Sequence, residues 1–406
     1  TARGGITLRI TRAEDGILQI TGKGHADGEL GRALVLLVRG LPIQRLISES
    51  DNMPDAPLAE KKDAPILTWP SRSATMPLVM IDCKDQSEAF ALSRDSKVRF
   101  KGFSAFYDHN LGEPVLVLSH HEDARHRTCG IELPVWEIGR GIARGKVLAR
   151  RIEDLERHFG MRPFEQHPER QWVNDISVIV NLHGVHSTGY VFLTYAQQAD
   201  ALRKVCKTIP GKQVLAFLPA WEGRYYTFSQ EYAAAEELGG EQGLLDLVDT
   251  AHGLGVRVIP MLDGPNLATE NYLRKNDLMD ARLQTEYGVP IPQDWEDWNS
   301  DLKAEQLGWI VNFGHPGFCR KMVDLASGLI DRYHFDGIFL DGAIRWQNCP
   351  DYSPYEGLRT WSQEMLKRHP DTLLMGEDGY DLLWDLFGLF ATSMQPLGIE
   401  QLMLRY

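Results

Sequence analysis

From residue 175 onward, short apolar runs alternate with segments of helical period, and this alternation limits the possible folds more than any other feature. The clearest unit lies between His334 and Tyr380. Gly337-Ile-Phe-Leu-Asp341 is a β-rich run without a polar face, as expected of a strand whose sheet is covered by helices. Leu373-Leu-Met-Gly-Glu377 has the same character. Between them, Leu358, Trp361, Met365 and Leu366 recur at helical spacing over residues 355–368, and Pro370 stops the helix. Strand, helix, strand in this order is a right-handed βαβ unit. It puts Asp341 and Glu377 at the C-terminal ends of neighbouring parallel strands, where α/β barrels carry their catalytic groups.

Side-chain parity supports pairing of the two acids. Phe339 and Asp341 share one face of their strand, and Met375 and Glu377 share one face of theirs. Adjacent strands lie about 4.8 Å apart, so the carboxyls are expected near the roughly 5–5.5 Å spacing of retaining glycosidases. Either acid alone is as well explained by a helix cap or an ion pair. Two acids at matching strand ends favour catalysis.

The other units come in order along the chain. Residues 176–182 read as the first strand, ending near Asn181 and His183, with a helix over 196–208. Residues 213–218 are the second strand, running into Trp221, Glu222, Arg224, Tyr225 and Tyr226. A helix over 242–254 closes at Gly255. Residues 256–262 are the third strand, ending at Asp263. A polar insertion from Pro265 to about Ile310 carries Trp295 and Trp298 among acids, as suits a substrate-facing lid. A helix over 316–333 leads to the fourth strand, the fifth ends at Glu377, and residues 390–394 begin a sixth. The expected fold over residues 173–406 is therefore an α/β (β/α)8 TIM barrel. A doubly wound sheet is the alternative, weakened because no Gly-x-Gly-x-x-Gly or phosphate loop comes after a strand. Eight strands do not fit before Tyr406, so the barrel is expected to be incomplete in this chain, with its last strands supplied by residues beyond it.

Residues 1–135 read as a β-sandwich of short strands broken by Asp-Gly, Gly-Lys-Gly and Leu-Gly-Glu-Pro turns. Its expected roles are to pack on the barrel and to lend a loop to the site. His120-His121-Glu122-Asp123 with His126 matches no familiar metal-ligand spacing, and a solvated hairpin tip is the favoured reading. Residues 136–172 read as a helical linker, with Trp136, Val147, Leu148, Ile152, Leu155 and Phe159 inward and arginines on a solvated face.

Composition narrows the partners. Across 406 residues the net charge is −13, which argues against general affinity for nucleic acid or an anionic membrane and fits a neutral substrate. Five scattered cysteines form no Cys-x-x-Cys, so neither a disulfide framework nor a metal site is expected, and no cofactor is implied. No apolar run approaches the roughly 18 residues of a membrane span. The sequence starts at Thr1, so a leading segment is expected to have been removed. That leaves secreted, periplasmic and cytoplasmic locations open, and oligomeric state with them.

Phe335-Asp-Gly-Ile-Phe-Leu-Asp-Gly342, preceded by Val311-Asn-Phe-Gly-His-Pro316, resembles the nucleophile strand of α-amylase-type barrels. Leu374-Met-Gly-Glu377 is similar to their acid/base strand, and residues 247–259 to the helix–strand unit before their first site motif. The Asp-Gly-Ile-Phe-Leu-Asp run also resembles galactosaminidase-type barrels, and a β-sandwich before the barrel resembles α-galactosidase relatives. The likeness covers residues 175–395. It departs from the α-amylase pattern at Phe339, where that family has Arg, and after the third strand, where Asn266-Leu267 stands for Asn-His.

The resemblance implies a retaining glycoside hydrolase or transglycosylase acting on an α-linked oligo- or polysaccharide. Asp341 would be the nucleophile and Glu377 the acid/base. Asp263 would bind hydroxyls or stabilise transition-state charge, with a loop cap as its competing role. Asn181, His183, Glu222, Arg224 and His315 stand near expected strand ends as hydroxyl partners, with structural hydrogen bonding as the competing role. Trp221, Trp295, Trp298 and Trp346, with Tyr225 and Tyr226, offer flat faces for pyranose rings or for packing. Two rival readings remain: a metal-dependent lyase or isomerase using the same acids as ligands, and a non-catalytic carbohydrate-binding barrel.

Overall fold

The structure, a computed structural model, describes residues 4–13, 15–26, 33–47, 66–71, 73–126, 130–186, 189–223, 232–262, 267–296, 304–391 and 405–406. Arg224, Tyr225, Tyr226, Asp263 and Trp298 lie outside the described residues.

The N-terminal region comprises β1 (Gly4–Arg12), β2 (Leu18–Ala26), β3 (Ala33–Val38), β4 (Ile43–Ile47), β5 (Leu67–Trp69), β6 (Leu78–Cys83), β7 (Glu88–Ser93), β8 (Lys101–Asp108), β9 (Glu113–His121) and β10 (Gly130–Arg140). They make two antiparallel sheets, ordered β1-β2-β10-β7-β6-β4 and β3-β9-β8-β5. The period-2 pattern explains their inner faces: on β3, Leu34 and Leu36 are buried while Val35 and Leu37 are exposed. These leucines share one apolar cluster with Phe90, Phe103, Leu118 and Trp136. Trp136 was expected on a helix. It lies on β10, which pairs with β2 and β7 through Glu137 and Ile138, so its spacing to Ile138 is the strand period.

Helix α1 (Arg144–Phe159) ends at Gly160, whose φ of 68° closes the last turn. Its arginines are not simply a solvated face, and here the expectation is corrected. Arg151 is fully buried and donates from Nε to Asp381 Oδ2 at 2.7 Å. Asp381 also accepts from Trp69 Nε1 at 3.1 Å, and its amide bonds to Thr75 O. One buried ion pair thus ties the N-terminal sheets, α1 and the C-terminal region together.

The second half runs β11 (Val178–Asn181), α2 (Tyr195–Val205), β12 (Val214–Leu218), α3 (Gly240–Leu254) and β13 (Arg257–Leu262). An insertion comes next, with β14 (Leu267–Ala268), α4 (Glu270–Lys275), β15 (Pro292–Glu296) and β16 (Ala304–Ile310). The chain then continues through α5 (Pro316–Tyr333), β17 (Gly337–Leu340), α6 (Pro354–Arg368), β18 (Leu373–Glu377) and β19 (Leu389–Ala391). Local signals set the helix ends. Thr194 and Gln197 form a capping box on α2, and Ser353 with Pro354 opens α6.

Six strands pair in parallel in chain order, β11-β12-β13-β17-β18-β19. A doubly wound sheet reverses its order at a switch point, and these strands do not. They form a parallel half-barrel. Val214, Ala216, Leu218, Val258, Ile338 and Leu374 face the helices and cluster with Leu244, Met322 and Met365. Leu215, Ile259, Met261, Phe339, Leu373 and Met375 form a separate cluster on the other face, joined by Phe217 and Leu389. On that inner face Ile179, the register partner of Leu215, is 45% exposed.

The His120–Asp123 stretch corrects a second expectation, because it is a seam and not a solvated tip. His120 is fully buried, and burial together with Lys101 and Arg99 pushes its imidazole down to about 2, leaving it neutral. His121 Nδ1 meets Glu286 Oε2 of the insertion at 3.0 Å. Asn348, in the loop after β17, accepts from the Ala124 amide and donates to Glu122 O. A charged stretch can be buried here because each side of the seam supplies the hydrogen bonds that water would have made.

Candidate active site

Register alone builds the centre of the site. Met261 pairs with Phe339, Phe339 with Met375, and Met375 with Leu389, a continuous apolar layer across four strands. Two residues further along, on the same face, stand Asp341, Glu377 and Ala391. Glu377 pairs with Ala391, and Leu340 with Gly376, so Asp341 and Glu377 are in step on neighbouring strand ends. Asp341 is 7% exposed and its amide bonds to Leu262 O at 3.2 Å. Glu377 is half-buried.

The residues directly after the two acids are also alike. Gly342 has φ 65° and Asp378 has φ 50°, both in the left-handed region. The Gly342 turn aims its amide at Glu377 Oε2, which accepts at 3.0 Å. Asp378 is fully buried and its amide bonds to Ala391 O at 2.9 Å, joining the ends of β18 and β19. A non-glycine residue held in this region costs about 1–3 kcal/mol and persists where its surroundings fix it, often at functional sites. Ala220, past β12, is another such residue, at φ 55°.

The insertion reaches the same loop. β14, β16 and β15 form a three-stranded sheet. Arg345, in the loop after Asp341, donates to Gln293 Oε1 of β15 at 2.5 Å, and Gln284 donates to Asp351 at 2.9 Å. Leu267, Leu283 and Ile310 share a small core with Cys349. The insertion and the N-terminal seam at Asn348 therefore both brace the segment just past the candidate nucleophile.

The remaining expected residues divide. Asn181 is exposed on the inner face of β11, in register with Phe217 and through it with Ile259, two layers below the acids. His183 is half-buried against Phe192, with ring centroids 5.0 Å apart, and burial with His186 lowers its pKa. Glu222 is 5% exposed. Trp346 is half-buried at the edge of the main core. Trp295 lies on β15, the strand that also carries Gln293.

Two residues have other work. Trp221 is fully buried, donates to Met261 O at 2.9 Å and packs edge-on against Tyr333 and Phe335, so it supports the sheet and has no open face for a sugar. It lies past a strand end, but the left-handed turn at Ala220 comes directly before it, and its ring joins the helix-side core. His315 caps α5: its Nδ1 accepts from the Phe318 amide at 3.2 Å and its Nε2 lies 3.4 Å from Asp280. Tyr190 and Phe192, in the loop after β11, were not singled out by the sequence. They are 63% and 47% exposed, and only their closeness to His183 marks them.

Among the described residues, no three His, Cys, Asp or Glu side chains converge to hold a metal ion, and Cys83, Cys206, Cys319 and Cys349 are free thiols. No described helix is long and apolar enough to cross a membrane.

The fold is similar to that of several solved glycosidases. The α-N-acetylgalactosaminidase of Bifidobacterium bifidum superposes with a TM-score of 0.62 at 13% identity, over 98% of this chain and 73% of that one. The GH36 α-galactosidase of Geobacillus stearothermophilus, solved with stachyose, superposes with a TM-score of 0.54 at 12% identity, over 97% of this chain and 56% of that one. In sequence, the chain is similar to 1,4-alpha-glucan branching enzymes. That of Salinibacter ruber is 27% identical over 166 residues, 40% of this chain and 25% of the enzyme. That of Aquifex aeolicus is 22% identical over 239 residues, 52% of this chain and 36% of the enzyme. The chain thus spans only a minor part of these curated relatives. No family profile matches it.

Proposed function

We propose that this chain carries the catalytic acids of a retaining glycoside hydrolase or transglycosylase acting on an α-linked oligo- or polysaccharide. The observation that carries the reading is the in-step pair Asp341 and Glu377 above the Met261-Phe339-Met375-Leu389 layer. Neighbouring parallel strands at about 4.8 Å suit the short carboxyl spacing of a double displacement, which leaves no room for water between acid and sugar. Asp341 attacks the anomeric carbon and forms a glycosyl-enzyme as the leaving oxygen departs. Glu377 gives that oxygen its proton, then takes one from the water or sugar hydroxyl that releases the product.

The α preference rests on the relatives, whose names share an α-glycosidic bond: α-galactosidase, α-N-acetylgalactosaminidase and 1,4-alpha-glucan branching enzyme. In the same reading, the N-terminal sheets through β10 (Gly130–Arg140) form a β-sandwich, α1 and the residues up to 172 link it onward, and residues 173–406 belong to a (β/α)8 barrel. His183, Glu222, Trp346, the insertion tryptophans Trp295 and Trp298, Arg224 and Asp263 are the candidate sugar contacts, each with structural hydrogen bonding, capping or packing as its competing role, while Asn181, two layers below the acids, lies too deep for that role.

The test is release of product from a panel of α- and β-linked glycans by the full-length protein beside Asp341→Asn and Glu377→Gln. Loss of at least about 10³-fold in both, roughly 4 kcal/mol of barrier, supports the pair. Near-normal rates in either variant remove that residue from its role. Activity abolished by a chelator would favour the metal-dependent alternative.

A further inference from the structure

We propose that Tyr190 and Phe192 form a sugar-stacking subsite at the mouth of the half-barrel, for a distal unit of an oligosaccharide. This rests on the glycosidase reading above and extends it to substrate length.

The loop after β11 folds back as a small hairpin. His186 N bonds to Tyr190 O and Phe192 N to Gly184 O, each at 2.9 Å, while Val185 bridges Val191 and Gly189 turns the chain at φ 82°. The hairpin is seated firmly on the neighbouring loop. Gly184 N bonds to Pro219 O and Val185 N to Ala220 O. A Cβ on Gly184 would meet Ala220 O at 2.2 Å, so only glycine allows this approach.

On this base the rings of His183, Tyr190 and His186 gather around Phe192. Its centroid lies 5.0 Å from His183, 4.9 Å from Tyr190 and 6.4 Å from His186. Burial within the cluster, with His186 beside it, lowers the His183 pKa and so favours the neutral imidazole. Tyr190 nevertheless remains 63% exposed and Phe192 47%. Single exposed aromatics need no explanation. Two held on a braced hairpin beside imidazoles, at the strand ends that also carry Asp341 and Glu377, match a ligand with an apolar C–H face and a hydroxyl rim.

The location sets which sugar unit they meet. β11 is three strand steps from β17, at most about 15 Å along the sheet at about 4.8 Å per step. A ring on Tyr190 is accordingly assigned to a unit other than the one undergoing reaction, which the comparison of tetrasaccharide with monosaccharide tests. The subsite selects chain length and leaves the chemical step alone.

The experiment uses full-length Asp341→Asn protein, which the glycosidase reading makes unable to turn over. Stachyose and maltotetraose, with galactose and glucose, are titrated calorimetrically against it and against the same protein carrying Tyr190→Ala and Phe192→Ala. The expected result is that one tetrasaccharide binds and weakens at least 10-fold in the alanine variant, while its monosaccharide is unaffected. Restored binding in Phe192→Tyr with Tyr190 intact would support stacking over simple bulk. Unchanged tetrasaccharide affinity overturns the proposal, as does equal weakening of both sugar lengths or binding of neither tetrasaccharide. Turnover of p-nitrophenyl α-glycosides by wild type is measured separately. If it is absent while tetrasaccharide binding still needs Tyr190 and Phe192, the subsite stands and the catalytic assignment falls.

Discussion

The amide of Gly342 donates to Glu377 Oε2 at 3.0 Å, tying the turn after Asp341 to the acid on the next strand. That turn has φ 65°, a conformation that costs an L-residue about 1–2 kcal/mol. Gly342→Ala is therefore expected to lower stability by about 1 kcal/mol and to tilt the amide away from Glu377. The predicted kinetic outcome is a fall of about 10-fold in kcat, roughly 1.4 kcal/mol, with KM little changed. Steady-state kinetics with a denaturant titration checks both, and an unchanged kcat would count against a positioning role.

The two acids are expected to fail differently. Only a poor leaving group needs a proton from Glu377 to depart. Glu377→Ala should therefore lose activity on glycans by about 10³-fold or more, yet still cleave an activated aryl glycoside in its first step, giving a burst of phenolate. Asp341→Ala should show no burst on either substrate. Stopped-flow absorbance distinguishes them, and equal bursts in both variants would reverse or dissolve the assignment.

Arg151 and Asp381 form a fully buried ion pair between α1 and the segment after β18. Removing one partner leaves a charge or acceptor buried without its counterpart, which costs about 3–5 kcal/mol. Asp381→Ala is expected to lose that much in urea unfolding. The double variant Arg151→Met with Asp381→Leu should lose less than the single one, because neither residue leaves a buried charge. A single-variant loss within about 0.5 kcal/mol, as for a surface change, would mean that the seam does not depend on this pair.

At the opposite end of the sheet, Asp336 accepts from Arg257, from the Val258 amide and from His252, the last at 2.9 Å. The hydrogen bond to Asp336 raises the His252 pKa. Burial pushes the Asp336 carboxyl up, but the bonds from His252, Val258 and Arg257 outweigh it and hold it below its ordinary value. A raised histidine stabilises fully below its unfolded value of about 6.5 and stops doing so as pH rises through its folded value. A lowered aspartate stabilises above about 3.9 and stops doing so as pH falls through its folded value. The pair therefore contributes most between about pH 4 and 6.5. Stability is expected to decline as pH rises above about 6.5, and less so in His252→Gln. Parallel pH dependences of the two proteins would show that the pair is not linked to folding.

The parallel strands were legible because covered strands leave little but apolar residues. Gly337 to Leu340 and Leu373 to Glu377 lie where their composition puts them. The acid pair followed from parity along those strands. The features that stayed hidden depend on distant partners. Nothing near Arg151 in sequence announces Asp381, 230 residues away, so its helix face read as solvated. His120 to Asp123 looked exposed for the same reason, since Asn348 and Glu286 are supplied from far along the chain. Trp221 lies past a strand end, yet the left-handed turn at Ala220 sets it in the core, and no local pattern foretells that turn. Tyr190 and Phe192 stand two apart, on either side of Val191, but so short an alternation does not register as a strand in the sequence.

The central claim is that Asp341 becomes covalently bound to sugar. Full-length protein would be incubated with 2-deoxy-2-fluoro α-glycosyl fluorides of galactose and glucose, which slow release of the intermediate, then digested and mapped by mass spectrometry. One glycosyl adduct is predicted, carried by Asp341 and absent from Asp341→Asn. An adduct on any other residue, or turnover of the reagents with no covalent species at any time, would contradict the claim.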